Sequence, residues 1–242
     1  MTLELKDVTL SIRGRSLVHN ISIILGPGEV VGLLGPNGAG KTTTFNLLIG
    51  LLRPDNGHVF VDGKKVRDLS IPLRARLGIG YLPQEPSVFR QLTVSQNLDL
   101  ALAQGSLNRS FSRVRKQQII EEFNLSSFLD RYGYQLSGGE RRRCEVARAL
   151  AVGASGPKYL LLDEPFAGVD PIAVSDLQNL IQRLRKRKVG ILITDHNVRE
   201  TLSITDRSYI LNNGEILASG KSDEVSTNTL VRRHYLGEDF QL

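Results

Sequence analysis

Gly35-Pro36-Asn37-Gly38-Ala39-Gly40-Lys41-Thr42 is the stretch on which the reading of this chain turns. It fits the pattern G-x-x-x-x-G-K-[ST], which needs a strand leading in and a helix leading out. Both neighbours are present. Val30–Leu34 is a short apolar run of the kind buried on both faces of a parallel sheet, and residues 41–51 read as a helix. The glycines let backbone N–H groups curl around phosphate oxygens without Cβ clashes. The helix start adds the positive end of its dipole. Lys41 supplies a full charge for the β- and γ-phosphates, and the Thr42 hydroxyl is placed to ligate Mg²⁺.

A second element answers the first. In Tyr159-Leu160-Leu161-Leu162-Asp163-Glu164-Pro165, four apolar residues make a buried strand and two carboxylates emerge at its C-terminal end, where ligands bind in open α/β sheets. Asp163 is expected to hold Mg²⁺, through water. Glu164, one residue on, is expected to face the γ-phosphate and polarise an attacking water.

Outward from these two stretches, residues 3–12 alternate apolar and polar with a slip near Asp7, and residues 21–25, 59–61, 79–82 and 189–194 read as further strands. Asn213-Gly214 between residues 209–211 and 216–218 predicts a hairpin. Residues 173–188 form an amphipathic helix with Val174, Leu177, Leu180, Ile181 and Leu184 on one face. From about 92 to 152 the strand signals vanish and helices are predicted at 93–103, 113–123 and 140–151. The expected architecture is α/β, with a helical subdomain inserted between two parts of one domain. Gly153-Ala154-Ser155-Gly156 is expected to be a small flexible loop.

Composition narrows the class. A chain of 242 residues with 40% hydrophobic and 23% charged residues has the balance of a globular protein with a real core. The net charge of +6 suits an anionic partner (nucleotide, nucleic acid or a membrane's inner face) without selecting one. Cys144 is the single cysteine, so no intrachain disulfide is possible, in keeping with a reducing compartment, and the thiol is expected to pack as a small hydrophobe. No apolar run approaches the ~18 residues that a membrane span requires. Met1-Thr2-Leu3-Glu4-Leu5-Lys6 carries charges where a signal peptide would be apolar. The expected location is cytoplasmic, with any membrane role exercised through a partner.

Leu136-Ser137-Gly138-Gly139-Glu140 opens another helix. Two glycines at a helix start expose N–H groups to an anion, and Ser137 adds a donor. One chain cannot easily place two phosphate-binding helix ends on one nucleotide unless the second end comes from another copy. In this stretch the chain resembles the ABC ATPases, whose signature sequence it matches. That resemblance implies binding of Ser137, Gly138 and Gly139 to the γ-phosphate of ATP held by the opposite subunit of a homodimer. The other family elements appear in order. Gln84 in Tyr81-Leu82-Pro83-Gln84-Glu85 resembles the glutamine that contacts Mg²⁺ and the water. Asp170 in Ala167-Gly168-Val169-Asp170 resembles the loop that crosses the dimer interface, and His196 in Ile193-Thr194-Asp195-His196 resembles the switch histidine at the γ-phosphate.

The resemblance spans essentially the whole chain. It implies a P-loop NTPase of ABC type: a mixed core sheet with flanking helices, an N-terminal antiparallel β subdomain and an inserted α-helical subdomain. Residues 1–91 and 156–242 would form the core with its antiparallel part, and 92–155 the helical insert. ATP and Mg²⁺ are the implied ligands. Glu164, His196 and Gln84 would be catalytic, Thr42, Gln84 and Asp163 would hold the metal, and Gly35 to Thr42 with Thr43 would contact the nucleotide. One position departs from the family pattern. Where these ATPases stack adenine on an aromatic, this chain has Ile12, with Arg13 beside it; adenine would lie on Ile12 or under the Arg13 guanidinium, and selectivity for ATP over GTP is expected to be weaker.

Within that family the chain resembles the ATPases of lipopolysaccharide export in Gram-negative bacteria, through residues 78–85, 137–143, 163–171 and 193–202 and the ending Tyr235-Leu236-Gly237-Glu238-Asp239-Phe240. The loop at 153–156 looks about three residues longer than in those proteins. The resemblance implies a homodimer beneath two transmembrane permease subunits, on the cytoplasmic face of the inner membrane, with no nucleic acid as partner. Phe89 and Arg90 would line the groove for a permease helix; an aromatic and an arginine on a loop are typical interface anchors. The alternatives are the ATPase of a branched-chain amino-acid importer and a soluble non-transport ABC scaffold. The basic run Arg183, Arg185, Lys186, Arg187 and Lys188 is expected to face solvent at a helix C-terminus.

Overall fold

The computed structural model describes residues 1–104, 109–152 and 156–240. The chain begins with a hairpin of β1 (Leu3–Ile12) and β2 (Arg15–Leu25), and the slip at Asp7 is a bulge: Asp7 has φ 52°, and the register shifts between Leu5 and Val8, which are both buried. The extra residue restores the apolar face to the core. β3 (Val30–Leu34) and α1 (Lys41–Ile49) follow, then β4 (Asn56–Val61), β5 (Lys64–Lys65), α2 (Ile71–Arg76) and β6 (Ile79–Leu82). Next come α3 (Val94–Ala103), α4 (Arg109–Glu122) and α5 (Gly138–Leu150), with no strand between them among the described residues. The remainder alternates: β7 (Tyr159–Asp163), α6 (Pro171–Lys186), β8 (Gly190–Thr194), α7 (Val198–Ile204), β9 (Arg207–Asn212), β10 (Glu215–Gly220) and α8 (Ser222–Thr227). Short helical turns at Thr229–Val231 and Arg232–Leu236 close the chain.

Among the described residues the strands make two sheets. One is antiparallel, in the order β2-β1-β4-β5, and the other has six strands in the order β10-β9-β3-β8-β7-β6. In the larger sheet β9 runs parallel to β3, and only the β9–β10 hairpin is antiparallel. Asn213 and Gly214, both with positive φ, make its turn. The fold is thus the expected mixed sheet with an antiparallel N-terminal sheet and a helical section.

Neither β3 nor β7 alternates in hydropathy, because both faces are covered. Leu160 and Leu162 point into a core formed with α3, α5 and α6, while Tyr159 and Leu161 point into a second core against the antiparallel sheet and α1. Each wholly buried leucine contributes roughly 1.5–3 kcal/mol. Cys144 lies within the first core, and burial pushes its thiol up to about 12, so it packs as a hydrophobe.

Element ends moved where capping chemistry overrode periodicity. α1 stops at Ile49 because Gly50 takes φ 86° as its cap. α5 starts at Gly138, two residues before the predicted start, because Ser137 and Glu140 form a capping box. α6 starts at Pro171, with Asp170 accepting from the Ile172 and Ala173 N–H groups, and ends at Lys186 rather than Lys188, whose φ is 64°. The predicted loop at 153–156 lies outside the described residues except for Gly156.

Candidate nucleotide site

The sheet order places the C-terminal ends of β3, β8 and β7 side by side, with β6 next to β7. The ends of these four strands and the loops that follow them carry residues 35–42, His196, Asp163 with Glu164, and Gln84 respectively. The glycine-rich loop at residues 35–42 is packed tightly against neighbouring backbone. Gly35 has φ 148°, and a Cβ there would collide with the Leu211 carbonyl; Gly40 has φ 104°, and its Cβ would lie 2.9 Å from the Leu17 carbonyl. Gly38, with φ 79°, has nothing within 4 Å of an added Cβ. Lys41 is buried, and its Nζ donates to the Gly35 carbonyl at 2.7 Å and to that of Pro36 at 3.0 Å. Burial lowers its pKa from the ordinary lysine value, and the carboxylates of Glu164 and Asp163 act in the opposite direction. Thr42 is exposed and Thr43 half-buried at the start of α1.

Across from this loop, Asp163 is buried at the tip of β7, and burial, reinforced by the neighbouring Glu164 charge, raises its carboxyl to about 6. Its Oδ2 accepts a long bond from the Tyr81 hydroxyl at 3.4 Å, while its Oδ1 is buried and has no hydrogen-bond partner among the described residues. Glu164 is held at φ 50°, a left-handed conformation that costs a non-glycine residue strain. Its N–H donates to the Thr194 carbonyl at 2.8 Å. The twist turns the side chain toward Gln84, whose Nε2 donates to Glu164 Oε2 at 2.8 Å, and toward His196, whose Nε2 lies 2.9 Å from Glu164 Oε1. Gln84, Glu164 and His196, three residues far apart in sequence, therefore meet at one carboxylate.

The residues fit a bound Mg²⁺ ion. Mg²⁺ takes hard oxygen ligands and keeps much of its water and phosphate shell. An orphaned buried carboxylate oxygen on Asp163 is the donor such an ion would satisfy, with Thr42 and Gln84 the other oxygen-bearing candidates. Among the described residues no group of three or more His, Cys, Asp or Glu side chains is arranged to hold a metal alone.

The structure does not bring Ser137, Gly138 and Gly139 into this cluster. They line a separate open groove of about 860 Å³, facing Gly168, Asp170 and Ile172 at the start of α6. Ile12, 42% exposed, and Arg13, at φ 53°, sit at the tip of the β1–β2 hairpin, whose second strand abuts Gly40 through Leu17. Phe89 is 47% exposed rather than tucked into the core, with the Arg148 guanidinium 4.7 Å from its ring centre, and Arg90 is exposed beside it.

Several contributing residues gave no sequence signal. Asp195 is buried and accepts from the Phe166 N–H at 2.8 Å and the Asn197 N–H at 2.9 Å, which ties the loop after β8 to the loop after β7. Burial raises its pKa. Arg142, one of three consecutive arginines, donates to the Glu164 carbonyl at 2.8 Å and the Pro165 carbonyl at 3.1 Å, so α5 is bonded to the carboxylate turn. Only the capping pattern at Ser137 hinted that α5 begins near functional residues.

Comparison with known proteins accords with this geometry. The ABC transporter family model matches residues 18–167. The lipopolysaccharide export system ATP-binding protein LptB of Acidithiobacillus ferridurans is 50% identical over 240 residues, 99% of this chain and 98% of that protein. Among solved structures, the ADP conformation of an ATP-binding cassette of an ABC transporter superposes with a TM-score of 0.85 at 28% identity, covering 98% of this chain and 100% of that one. A dimeric post-hydrolysis cassette bound to ADP and Pi superposes with a TM-score of 0.79 at 26% identity, covering 91% and 98%.

Proposed function

The chain belongs to the ABC transporter family and is an ATP-hydrolysing motor subunit of lipopolysaccharide export, and from that premise we propose how its residues work. Two copies close over two ATP molecules, each held by residues 35–43 of one copy and by Ser137, Gly138 and Gly139 of the other. The observation that carries the hydrolytic reading is the convergence of Gln84 and His196 on the two oxygens of Glu164, at 2.8 and 2.9 Å, beside Asp163 and Lys41. Glu164 orients the attacking water and takes its proton. Gln84 and His196 fix the direction of that carboxylate and stand beside the transferring phosphoryl group. Lys41 and the N–H groups of the loop offset charge on the phosphate oxygens. Thr42, Gln84 and, through water, Asp163 would hold a Mg²⁺ ion, which when bound would supply further charge neutralisation at the phosphates. Asp170 lies where the two copies meet, and Ile12 with Arg13 covers the base without an aromatic platform.

The signature glycines favour the shared-site arrangement. Neither Gly138 nor Gly139 has a positive φ, and an added Cβ at either would meet nothing within 4 Å. Nothing among the described residues demands glycine there, whereas a closely approaching external phosphate does.

No helix among the described residues is long and apolar enough to cross a membrane. In our reading the chain attaches to the cytoplasmic face of the inner membrane through two permease subunits docked at Phe89 and Arg90, and the 92–155 insert relays movement between that groove and the signature. The test is affinity purification of the tagged chain from native membranes, with ATPase activity measured with and without lipopolysaccharide. The expected result is recovery of two polytopic membrane proteins and stimulation by lipopolysaccharide. Recovery with amino-acid permeases, or no membrane protein at all, would contradict the export assignment.

A further inference from the structure

Arg74 is the largest side chain buried completely in the described structure, at 0% exposure. A buried guanidinium ordinarily needs a carboxylate, because desolvating a charge costs several kcal/mol. Here the charge is satisfied by backbone carbonyls instead. Nη1 donates to Leu47 at 2.6 Å and to Leu48 at 2.9 Å, Nη2 to Arg67 at 3.1 Å, and Nε to Leu69 at 3.1 Å. Leu47 and Leu48 lie in the last turn of α1, whose carbonyls have no partners within the helix. Asn46, one residue earlier, is closed differently: its carbonyl accepts from the N–H groups of Gly50, Leu51 and Leu52. Arg74 thus completes the carbonyl end of the helix whose other end is the phosphate-binding loop. The helix dipole favours a cation at that end.

The neighbouring backbone is shaped around this contact. Gly50 has φ 86°, and a Cβ there would lie 2.7 Å from Arg74 Nε and 2.8 Å from the Leu69 carbonyl. α2, which carries Arg74, leads within a few residues into β6 and so to Gln84. One short helix therefore holds the far end of α1 and starts the strand that delivers Gln84 to Glu164. α1 has nine residues and is roughly 13 Å long. A tilt of about 5° at its carbonyl end moves its phosphate end by about 1 Å, the difference between a good hydrogen bond and a lost one.

We propose that Arg74 is a positioning residue for nucleotide binding, clamping α1 by its carbonyl end so that Lys41, Thr42 and the loop N–H groups meet the phosphates in register. This role rests on the phosphate-loop reading given above. The experiment compares Arg74→Lys and Arg74→Gln with a destabilised control, Val59→Ala, which trims a buried side chain in the antiparallel sheet. Calorimetric titration with MgADP, the KM and kcat for ATP, and Tm are measured for each. Lysine keeps the charge but cannot span four carbonyls, so Arg74→Lys is expected to bind MgADP at least fivefold more weakly and to raise the KM for ATP similarly, with kcat at saturation within twofold. Arg74→Gln is expected to lose more than tenfold in affinity; where it fails to fold, the lysine variant decides. Val59→Ala is expected to lower Tm with unchanged affinity. Wild-type MgADP affinity and KM in Arg74→Lys would overturn the proposal, whatever its Tm. Failure of the unaltered protein to bind MgADP would instead overturn the phosphate-loop reading.

Discussion

The two glycine-rich helix starts of this molecule look alike in sequence and differ in what surrounds them. At residues 35–42 the chain closes on its own loop: Gly35 and Gly40 are pressed against the Leu211 and Leu17 carbonyls and take backbone angles that favour glycine. At residues 137–139 Gly138 and Gly139 have ordinary angles and open space. The first loop is shaped from within. The second has a capped helix start whose glycines satisfy no need of the described residues around them. That difference is the one the proposed shared site requires: one loop finished within the chain, and one left open for a second copy.

The largest expected effect tests the chemistry that the first region serves. Glu164→Gln should lower ATP turnover by at least about 10²-fold, in the range a general base contributes, while ATP binding persists and dimer accumulates in size-exclusion chromatography. Near-normal turnover would remove Glu164 as the base. The next pair separates the two loops directly. Gly35→Ala should destabilise the fold by several kcal/mol, because a backbone carbonyl must move. Gly139→Ala should leave Tm within about 2 °C yet reduce ATP-driven dimer formation at least tenfold. Equal Tm losses in the two variants would erase the contrast.

A smaller effect concerns Asp163. Its folded-state pKa of about 6 lies above the ordinary 3.8, so the folded chain binds more protons between those values and its stability falls as pH rises through that window. The penalty is full above pH 6. Asp163→Asn should therefore raise the stability of the nucleotide-free protein at pH 7.5 by on the order of 1–3 kcal/mol, with the gain vanishing toward pH 4. A gain that persists unchanged at pH 4 would refute the assignment. Smallest in stability terms is Phe89→Ala, which should shift Tm by less than about 2 °C and leave MgADP affinity intact while weakening co-purification with the permease subunits proposed above. Unchanged assembly would move the docking groove elsewhere.

The elements that carry chemistry were legible because their signals are local. Val30–Leu34 before a glycine loop, residues 159–162 before two carboxylates, and Asn213-Gly214 in a hairpin each declare themselves within ten residues. Helix ends were less so, since Gly50, Ser137 and Lys188 set them by backbone angle and capping rather than by hydropathy. α2 was not legible at all. It is six residues long with a proline in its first turn, and its most buried residue is an arginine. Hydropathy places Arg74 on the surface; only four carbonyls from two separate segments, residues 47–48 and 67–69, make its burial tolerable. The same holds for Asp195 and Arg142, whose partners are distant loops. The C-terminal turns were also missed: Val231, Tyr235, Leu236 and Phe240 pack with Leu34 and Leu202 in a third core cluster, and no periodicity in so short a stretch announces it.

The most direct measurement is a structure of the Glu164→Gln protein loaded with Mg²⁺-ATP. Each γ-phosphate should lie within hydrogen-bonding distance of Ser137 or of the Gly138 and Gly139 N–H groups of the second copy. Triphosphates bound at residues 35–43 with 137–139 of both copies facing solvent would contradict the account.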